Sequence, residues 1–515
     1  MSEWFLPDAG RASEGNEVSP RLHGATYFAR LVDVVERTAP GDQIFFTDWR
    51  GDGDQLLSDG GPTVSALFGS AARRGVEVRA LLWRSHSDHT SFSAQENAHL
   101  DLELNEAGAC ALLDERVRRG GSHHQKLVVV RHPGRPEDDV AFVGGIDLSH
   151  SRRDDAQHHG DRQRQPMDTR YGKRPPWHDA MLEVQGPAVA DVLASFVERW
   201  NDPTPLDHRN PYRRWRQRRA GMPSHGDALA PPVPPPAAGR HTVQVLRTYG
   251  RKHPPYPFAP EGERTIARAY EHAFQRARRL VYVEDQYLWS AVVARTLADA
   301  LRRSPALQVI AVVPRFPDAD GPLTGPPNRL GQLEAMRVLS AAGGARFGVY
   351  DLQSPTGTPV YVHAKVCIVD DTWMTCGSDN FNRRSWTHDS ELSAVVLDQS
   401  EAPGGYARRL RLALSAEHLD RPFDPEVDKT DEPALLESMA DCIEPEGHFE
   451  TFAKTADALD AWHAGGKQGP RPPGRLRRMG PPDLGTMART LALGPYLAVV
   501  DPDGRPGPLR KRDDF

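Results

Sequence analysis

An imidazole and an ammonium two positions apart, running straight into an apolar strand, occur twice in this chain and constrain it more than any other feature. The second copy is His363-Ala364-Lys365, followed by Val366, Cys367, Ile368 and Val369. On a strand, residues two apart leave the same face, so His363 and Lys365 present their charges together. Asp370 and Asp371 then turn the chain, and Gly377-Ser378-Asp379-Asn380 forms a small-residue loop where backbone can approach a ligand. The first copy is His124-Gln125-Lys126 ahead of 127–130, with Gly144-Gly145-Ile146-Asp147 as its glycine loop. Here the position five after Lys126 is Arg131, not Asp, and Lys126 to Gly144 is 18 positions against 12 from Lys365 to Gly377. Counting back from Gly144 sets Glu137 opposite Asp370, with Asp138 and Asp139 adjoining. The acidic role at that strand end is therefore either filled by the inserted turn or lost.

The flanks repeat as well. Residues 43–49 and 76–83 read as strands around a helix at 64–74, and 280–287 and 307–314 read as strands around a helix at 290–303. Strand, helix, strand argues for parallel βαβ units, whose ligands collect beyond the carboxyl ends of the strands. Asp48, Trp49, Arg84 and His86 fall there. Further helices are expected at 27–38, 265–278 and 404–418, with strands at 177–184, 243–247 and 392–397. Gly186-Pro187 opens an amphipathic helix carrying Val189, Val192, Leu193, Phe196, Val197 and Trp200. The first residues read as a polar arm, and 318–328 as a Gly/Pro-rich loop near the cleft. Residues 202–240 are rich in Pro, Gly and Arg and read as a linker, its basic run around Trp215 a solvated face. After about Pro422 the pattern fades to a short helix near Trp462, a Pro/Gly/Arg-rich stretch and a candidate strand at 496–500.

At 515 residues the chain has room for two to four domains. A net charge of −6 gives no global attraction to nucleic acid, and a basic stripe is missing. Cys110, Cys367, Cys376 and Cys442 are too scattered for a disulfide framework, which fits a reducing compartment. No secretory start and no run of about 18 apolar residues is present, so the expectation is a cytoplasmic protein, peripheral to a membrane if it acts on lipid.

His-x-Lys-x4-Asp-x6-Gly-Ser-x-Asn, met by His363, Lys365, Asp370, Gly377, Ser378 and Asn380, resembles the HKD signature of the phospholipase D superfamily. The resemblance implies an α/β fold of two pseudo-twofold-related lobes, each a mostly parallel or mixed β-sheet flanked by helices as an α-β-α sandwich. The corresponding divisions are an N-terminal lobe at 1–205, a linker at 206–240, a C-terminal lobe at 241–425 and an extension of unassigned role at 426–515. It also implies that His124 and His363 face each other across one pocket.

The chemistry asks for such a kit. A neutral imidazole, unperturbed pKa about 6.5, can attack a phosphodiester. A second imidazole, protonated, hands its proton to the leaving oxygen. Ammonium groups offset the phosphoryl charge without a metal. By family analogy one histidine becomes a phosphohistidine, with His124 preferred. The same resemblance implies that Lys126, Lys365 and Asn380 hold phosphate oxygens, that Ser378, Gly145 and Asp147 line the substrate, and that Asp179 and Glu391 orient the imidazoles. Asp147 sits awkwardly there, since a carboxylate repels the substrate. Asp370 completes the motif by holding Lys365 and the turn. No cofactor and no metal is called for; His158-His159 and His86/His89 lack the spacing of a zinc site.

The leading expectation is a metal-independent phosphodiesterase that hydrolyses or transesterifies glycerophospholipids, acting as a monomer with transient membrane-surface contact and without nucleic acid. Cardiolipin-synthase-like phosphatidyl transfer, a nuclease of the same superfamily and a catalytically silent binding protein are the alternatives.

Overall fold

A computed structural model describes residues 2–7, 12–84, 94–206, 211–219, 226–318, 325–398, 405–427 and 432–515; His86 and His89 lie outside them, as do 319–324 of the loop expected near the cleft. The first half supplies β1 (Ala12–Leu22), β2 (Gln43–Asp48), β3 (Glu77–Trp83), β4 (Cys110–Asp114), β5 (Leu127–Arg131), β6 (Val140–Gly144), β7 (Trp177–His178) and β8 (Ala180–Gln185). The second supplies β9 (His241–Tyr249), β10 (Glu263–Arg264), β11 (Leu280–Glu284), β12 (Gln308–Val312), β13 (Phe347–Leu352), β14 (Tyr361–Val362), β15 (Val366–Val369), β16 (Trp373–Gly377) and β17 (Ser390–Asp398). A last strand, β18 (Leu476–Arg478), comes from the extension.

The two lobes are not two sheets but one. β1 and β9 pair antiparallel, with Ala12 opposite Gln244 and Ser13 opposite Val243. Outward from that seam the order is β1-β8-β6-β5-β2-β3-β4 on one side and β9-β17-β16-β15-β11-β12-β13 on the other, so each strand has a pseudo-twofold mate. β2, β3 and β4 run parallel, as do β11, β12 and β13, and antiparallel pairs fill the middle. The segment expected as a polar arm is therefore β1. Its alternating burial (Val18 and Leu22 inside) suits a seam strand with core on one face. One apolar cluster runs through the seam, joining Val18, Val184, Val245 and Ala394.

Three further departures have local causes. Residues 325–328 open α1 (Gly325–Gly343) instead of ending a loop, because Pro326 and Pro327 sit in the first turn, where no intrahelical donor is lost. The basic run near Trp215 forms a short helix, Pro211–Arg219. Residues 496–500 are a π-helical turn continuing α2 (Thr486–Pro495), not a strand: Ala492 and Tyr496, four apart, pack together on α1, and β18 occupies the edge of β13.

Candidate active site

His124 and His363 sit just before β5 and β15, and in both places the chain is pinned by the other lobe. The N–H of His124 donates to Ser390 O at 2.9 Å, and the N–H of His363 donates to His178 O at 2.7 Å. β14 pairs with β7, setting Val362 beside His178. The side chains cross over in the same way. His363 Nδ1 donates to Asp179 Oδ2 at 2.7 Å, and His124 Nδ1 lies 2.9 Å from Glu391 Oε2. Each imidazole is thus oriented by a carboxylate of the opposite lobe, its Nε2 left for chemistry. Trp49 meets the His124 ring edge-on at 6.0 Å, and Trp177 lies 5.0 Å from the His363 ring.

Both lysines fold back on their motifs, Lys126 Nζ donating to His124 O at 3.0 Å and Lys365 Nζ to His363 O. Lys126 also pairs with Asp147 Oδ1 at 3.3 Å, and Lys365 reaches Gln286 Oε1 at 3.4 Å. Asp147 makes a second pair with Arg152 at 3.0 Å, so its charge is met by two cations. Arg152 stacks over Trp177 at 4.2 Å. A symmetric clamp holds the glycine loops: Asp48 Oδ2 accepts the Leu148 N–H at 2.7 Å, and Asp285 Oδ2 accepts the Phe381 N–H at 2.9 Å. Those amides follow Asp147 and Asn380 directly.

The electrostatics separate the two dyads. Burial and then the Lys365 ammonium push His363 down to about 3, against the pull of Asp179. Burial, Lys126 and Lys365 hold His124 well below the usual imidazole range. Both rings are neutral near pH 7, and Lys365 acts on both. Burial would raise Asp179, but the His363 imidazole, through its hydrogen bond, together with the Lys365 ammonium and the Ala180 N–H keeps it below the ordinary carboxylate value. Burial and the Asp389 charge instead push Glu391 up to about 8. Lys365 is pushed down to about 8 by burial, with Asp179 and Asp285 opposing.

The remaining motif residues brace the dyads and the turns around them. Asp370 is at the far end of β15 from Lys365, where its carboxylate accepts the N–H groups of Arg278, Arg279 and Leu280 at 2.7, 2.9 and 2.8 Å and ties that turn to β11. In the first lobe the polarity is reversed: Asp42, on the β2 side, faces His132 at 3.8 Å and Arg135 at 3.3 Å, while Arg131 pairs with Asp139. Ser378 is fully buried and donates to Glu391 Oε2 at 2.5 Å, so it holds the dyad carboxylate. Gly145 leaves room for the other one; a Cβ there would lie 2.3 Å from Asp179 Oδ1. Asn380 is buried with its Oδ1 unpartnered. His123, Gln286, Arg152 and Asp285 complete the surroundings, and only His123 is visible beside a motif in the sequence.

Among the described residues, two groups bring His and Glu ligand atoms within 4.8 Å of one another, His23/His158/Glu417 and His178/Glu284/His418. These could hold a metal ion, but they lie in the buried lobe interface, outside the His124–His363 cleft. Their carboxylates are already engaged, Glu284 by His178 and His418 at 2.7 Å each and Glu417 by His23 at 3.0 Å. No described helix is long and apolar enough to cross a membrane.

The duplicated α/β lobe thus carries two crossed His–carboxylate dyads with two lysines beside them. Residues 54–212 match the family model "Phospholipase D", and 270–408 match "Cardiolipin synthase, PLD-like domain". The chain belongs to the phospholipase D superfamily. It is 24% identical over 501 residues to phospholipase D alpha 2 of Oryza sativa subsp. japonica, covering 72% of this chain and 60% of that one. To phospholipase D alpha 1 of Vigna unguiculata it is 26% identical over 485 residues, covering 70% and 59%. The chain thus spans about 60% of the length of these relatives. In fold it is similar to a phosphatidylserine synthase of Haemophilus influenzae, with a TM-score of 0.52, 14% identity and coverage of 82% and 92%.

Proposed function

We propose that this protein cleaves glycerophospholipids at the headgroup phosphodiester, with His124 as nucleophile and His363 as general acid and base. The observation that supports this most is the crossing of the dyads, His124 with Glu391 and His363 with Asp179. An ionised Asp179 favours the imidazolium form of His363, while the nearly neutral Glu391 leaves His124 an uncharged nucleophile. An arriving phosphodiester anion offsets the Lys365 charge, and the proton affinity of His363 rises. His124 Nε2 then attacks phosphorus, the bond to the headgroup oxygen breaks, and that oxygen takes the Nε2 proton of His363. In the second half water gives a proton to His363, its oxygen attacks phosphorus, and the N–P bond breaks. Lys126, Lys365 and Asn380 hold the phosphoryl oxygens.

The test is turnover by wild type, His124→Ala and His363→Ala on phosphatidylcholine vesicles and on single-stranded DNA, with and without EDTA. Loss in both variants on lipid, with EDTA neutral, supports the reading. Cleavage of DNA alone moves the substrate to nucleic acid, and EDTA inhibition opposes metal independence. A second reading, phosphatidyl transfer to an alcohol, is favoured by the cardiolipin-synthase-type match of the second lobe. Phosphatidylglycerol supplied with glycerol distinguishes the two by the ratio of transfer product to phosphatidic acid.

A further inference from the structure

The extension beyond residue 426 borders the site. Pro482 and Asp483 line a cavity of about 300 Å³ with Gln286, Tyr287, Trp289 and Tyr361, and Gln286 is the residue that Lys365 reaches. From Leu484 the chain runs on as α2 and its π-helical turn to Val500. Its inner face packs Leu484, Ala492 and Tyr496 on Leu330 and Leu333 of α1. Tyr496 and Trp289 meet over Gly331, where an added Cβ would come within 2.7 Å of one and 3.0 Å of the other. The end of the turn is tied to both motifs: Arg384 donates to Val499 O at 2.7 Å and to Gly120 O at 2.9 Å, four residues before His124.

The outer face is apolar and open. Met487, Leu491, Leu493, Leu497 and Val499 are 78, 72, 44, 44 and 66% exposed, five of the nine large exposed hydrophobics among the described residues. Such concentration marks an interaction surface, since scattered single residues are the norm. Between 484 and 500 the only charged residue is Arg489. Leu497 borders a second concavity with Arg118, Arg119, Arg383 and Arg510, where Asp503 is the one acidic lining residue. Burial, then Arg510 and Arg251, lower the proton affinity of Arg118, with Asp503 opposing.

We infer that residues 484–500 form an interfacial helix that lays this apolar face on an anionic phospholipid bilayer, with Arg118, Arg119 and Arg510 against the headgroups, and so delivers lipid to the adjoining cleft. The segment is too short to span a bilayer and exposes one face only, so it lies in the plane of the surface. Acid-free apolar residues rimmed by arginines are complementary to such a surface, and its occupant comes in the same phase as the substrate. The inference rests on the function proposed above.

The experiment uses the full chain. Met487→Ser/Leu491→Ser/Val499→Ser, Arg119→Ser/Arg510→Ser and a control at another exposed site, Leu102→Ser, are compared with wild type. Each is sedimented with phosphatidylcholine vesicles with and without phosphatidylglycerol, run by sedimentation velocity, and assayed on bis-p-nitrophenyl phosphate in solution. The triple variant should lose ~10-fold or more of its vesicle affinity. The arginine pair should lose the preference for phosphatidylglycerol and its salt sensitivity. Leu102→Ser should bind as wild type, and all should cleave the soluble diester equally. Vesicle binding by the triple variant equal to wild type, no binding by wild type, or a wild-type dimer that the triple variant splits would each overturn the inference. Failure on the soluble diester by every form, with vesicle binding intact, would sink the proposed reaction and leave the docking surface standing.

Discussion

Asp179→Asn is the most informative single change, because the structure predicts both its size and its cause. Asp179 is fully buried and both its oxygens are committed. Oδ2 takes the protons of His363 Nδ1 at 2.7 Å and Trp177 Nε1 at 3.2 Å, and Oδ1 takes the Ala180 N–H at 2.9 Å. An amide fits neither way round. With its NH2 toward His363 it opposes the indole N–H and donates to Nδ1, locking the proton on Nε2, where a base needs a lone pair. With its NH2 the other way it opposes the Ala180 N–H. A buried charge-assisted bond of this kind contributes ~1.5–3 kcal/mol, and a mispositioned acid–base group costs ~10²–10⁴ in rate. We therefore expect kcat on a soluble phosphodiester to fall ~10²–10⁴-fold with KM changed by less than ~3-fold. The assay is steady-state turnover, with circular dichroism to show that the variant is folded. A folded Asp179→Asn enzyme whose kcat stays within ~3-fold of wild type would refute the orienting role.

Three further outcomes follow from the same geometry. Lys365 keeps its proton below about 8 and loses it as the pH rises through that value, so kcat/KM should decline on the alkaline side near pH 8. A flat profile through pH ~10, or loss of the limb in Glu391→Gln, would place the titration elsewhere. Glu391 itself has a folded-state value raised from 4.5 to about 8, so its contribution to stability is full below the unfolded value and is lost as the pH rises through the folded one. Gln, always neutral, should stabilise the fold by ~1–3 kcal/mol at about pH 9 and by little at about pH 5 while lowering turnover; equal melting temperatures at both pH values would contradict this. Asp370→Ala strands three backbone donors at the β11 turn and should cost ~1–2 kcal/mol in urea unfolding with turnover of the folded enzyme within ~2-fold of wild type; a large loss of turnover at unchanged stability would return Asp370 to the reacting centre.

Much of the site was legible because its chemistry is local. His-x-Lys ahead of an apolar run fixes two side chains on one face whatever surrounds the strand. The parallel βαβ units showed for the same reason, through the periodicity of residues 43–49 and 76–83. What stayed hidden depends on partners far away in the chain. Nothing near Ala12 announces that it pairs with Gln244, so a seam strand passed for a polar arm. Glu391 follows His363 in sequence yet serves His124, 267 positions away, and only the topology of the joined sheet makes that exchange. Asp147 is tolerated beside a phosphate only because Arg152 and Lys126 pair with it, and neither partner is marked by the motif spacing. Ser378 keeps its place in the motif but serves the dyad carboxylate, a distinction that spacing does not encode.

The most direct measurement is to catch the covalent intermediate. In His363→Asn the leaving group loses its proton donor and water loses its base, while His124 and Glu391 remain in place. Mixing this variant with a phospholipid whose leaving group needs no proton, a p-nitrophenyl phosphodiester, and quenching in alkali should yield one phosphatidyl adduct per chain, mapped by mass spectrometry to the peptide carrying His124. An unmodified chain that still releases p-nitrophenol, or an adduct on any other residue, would contradict the account.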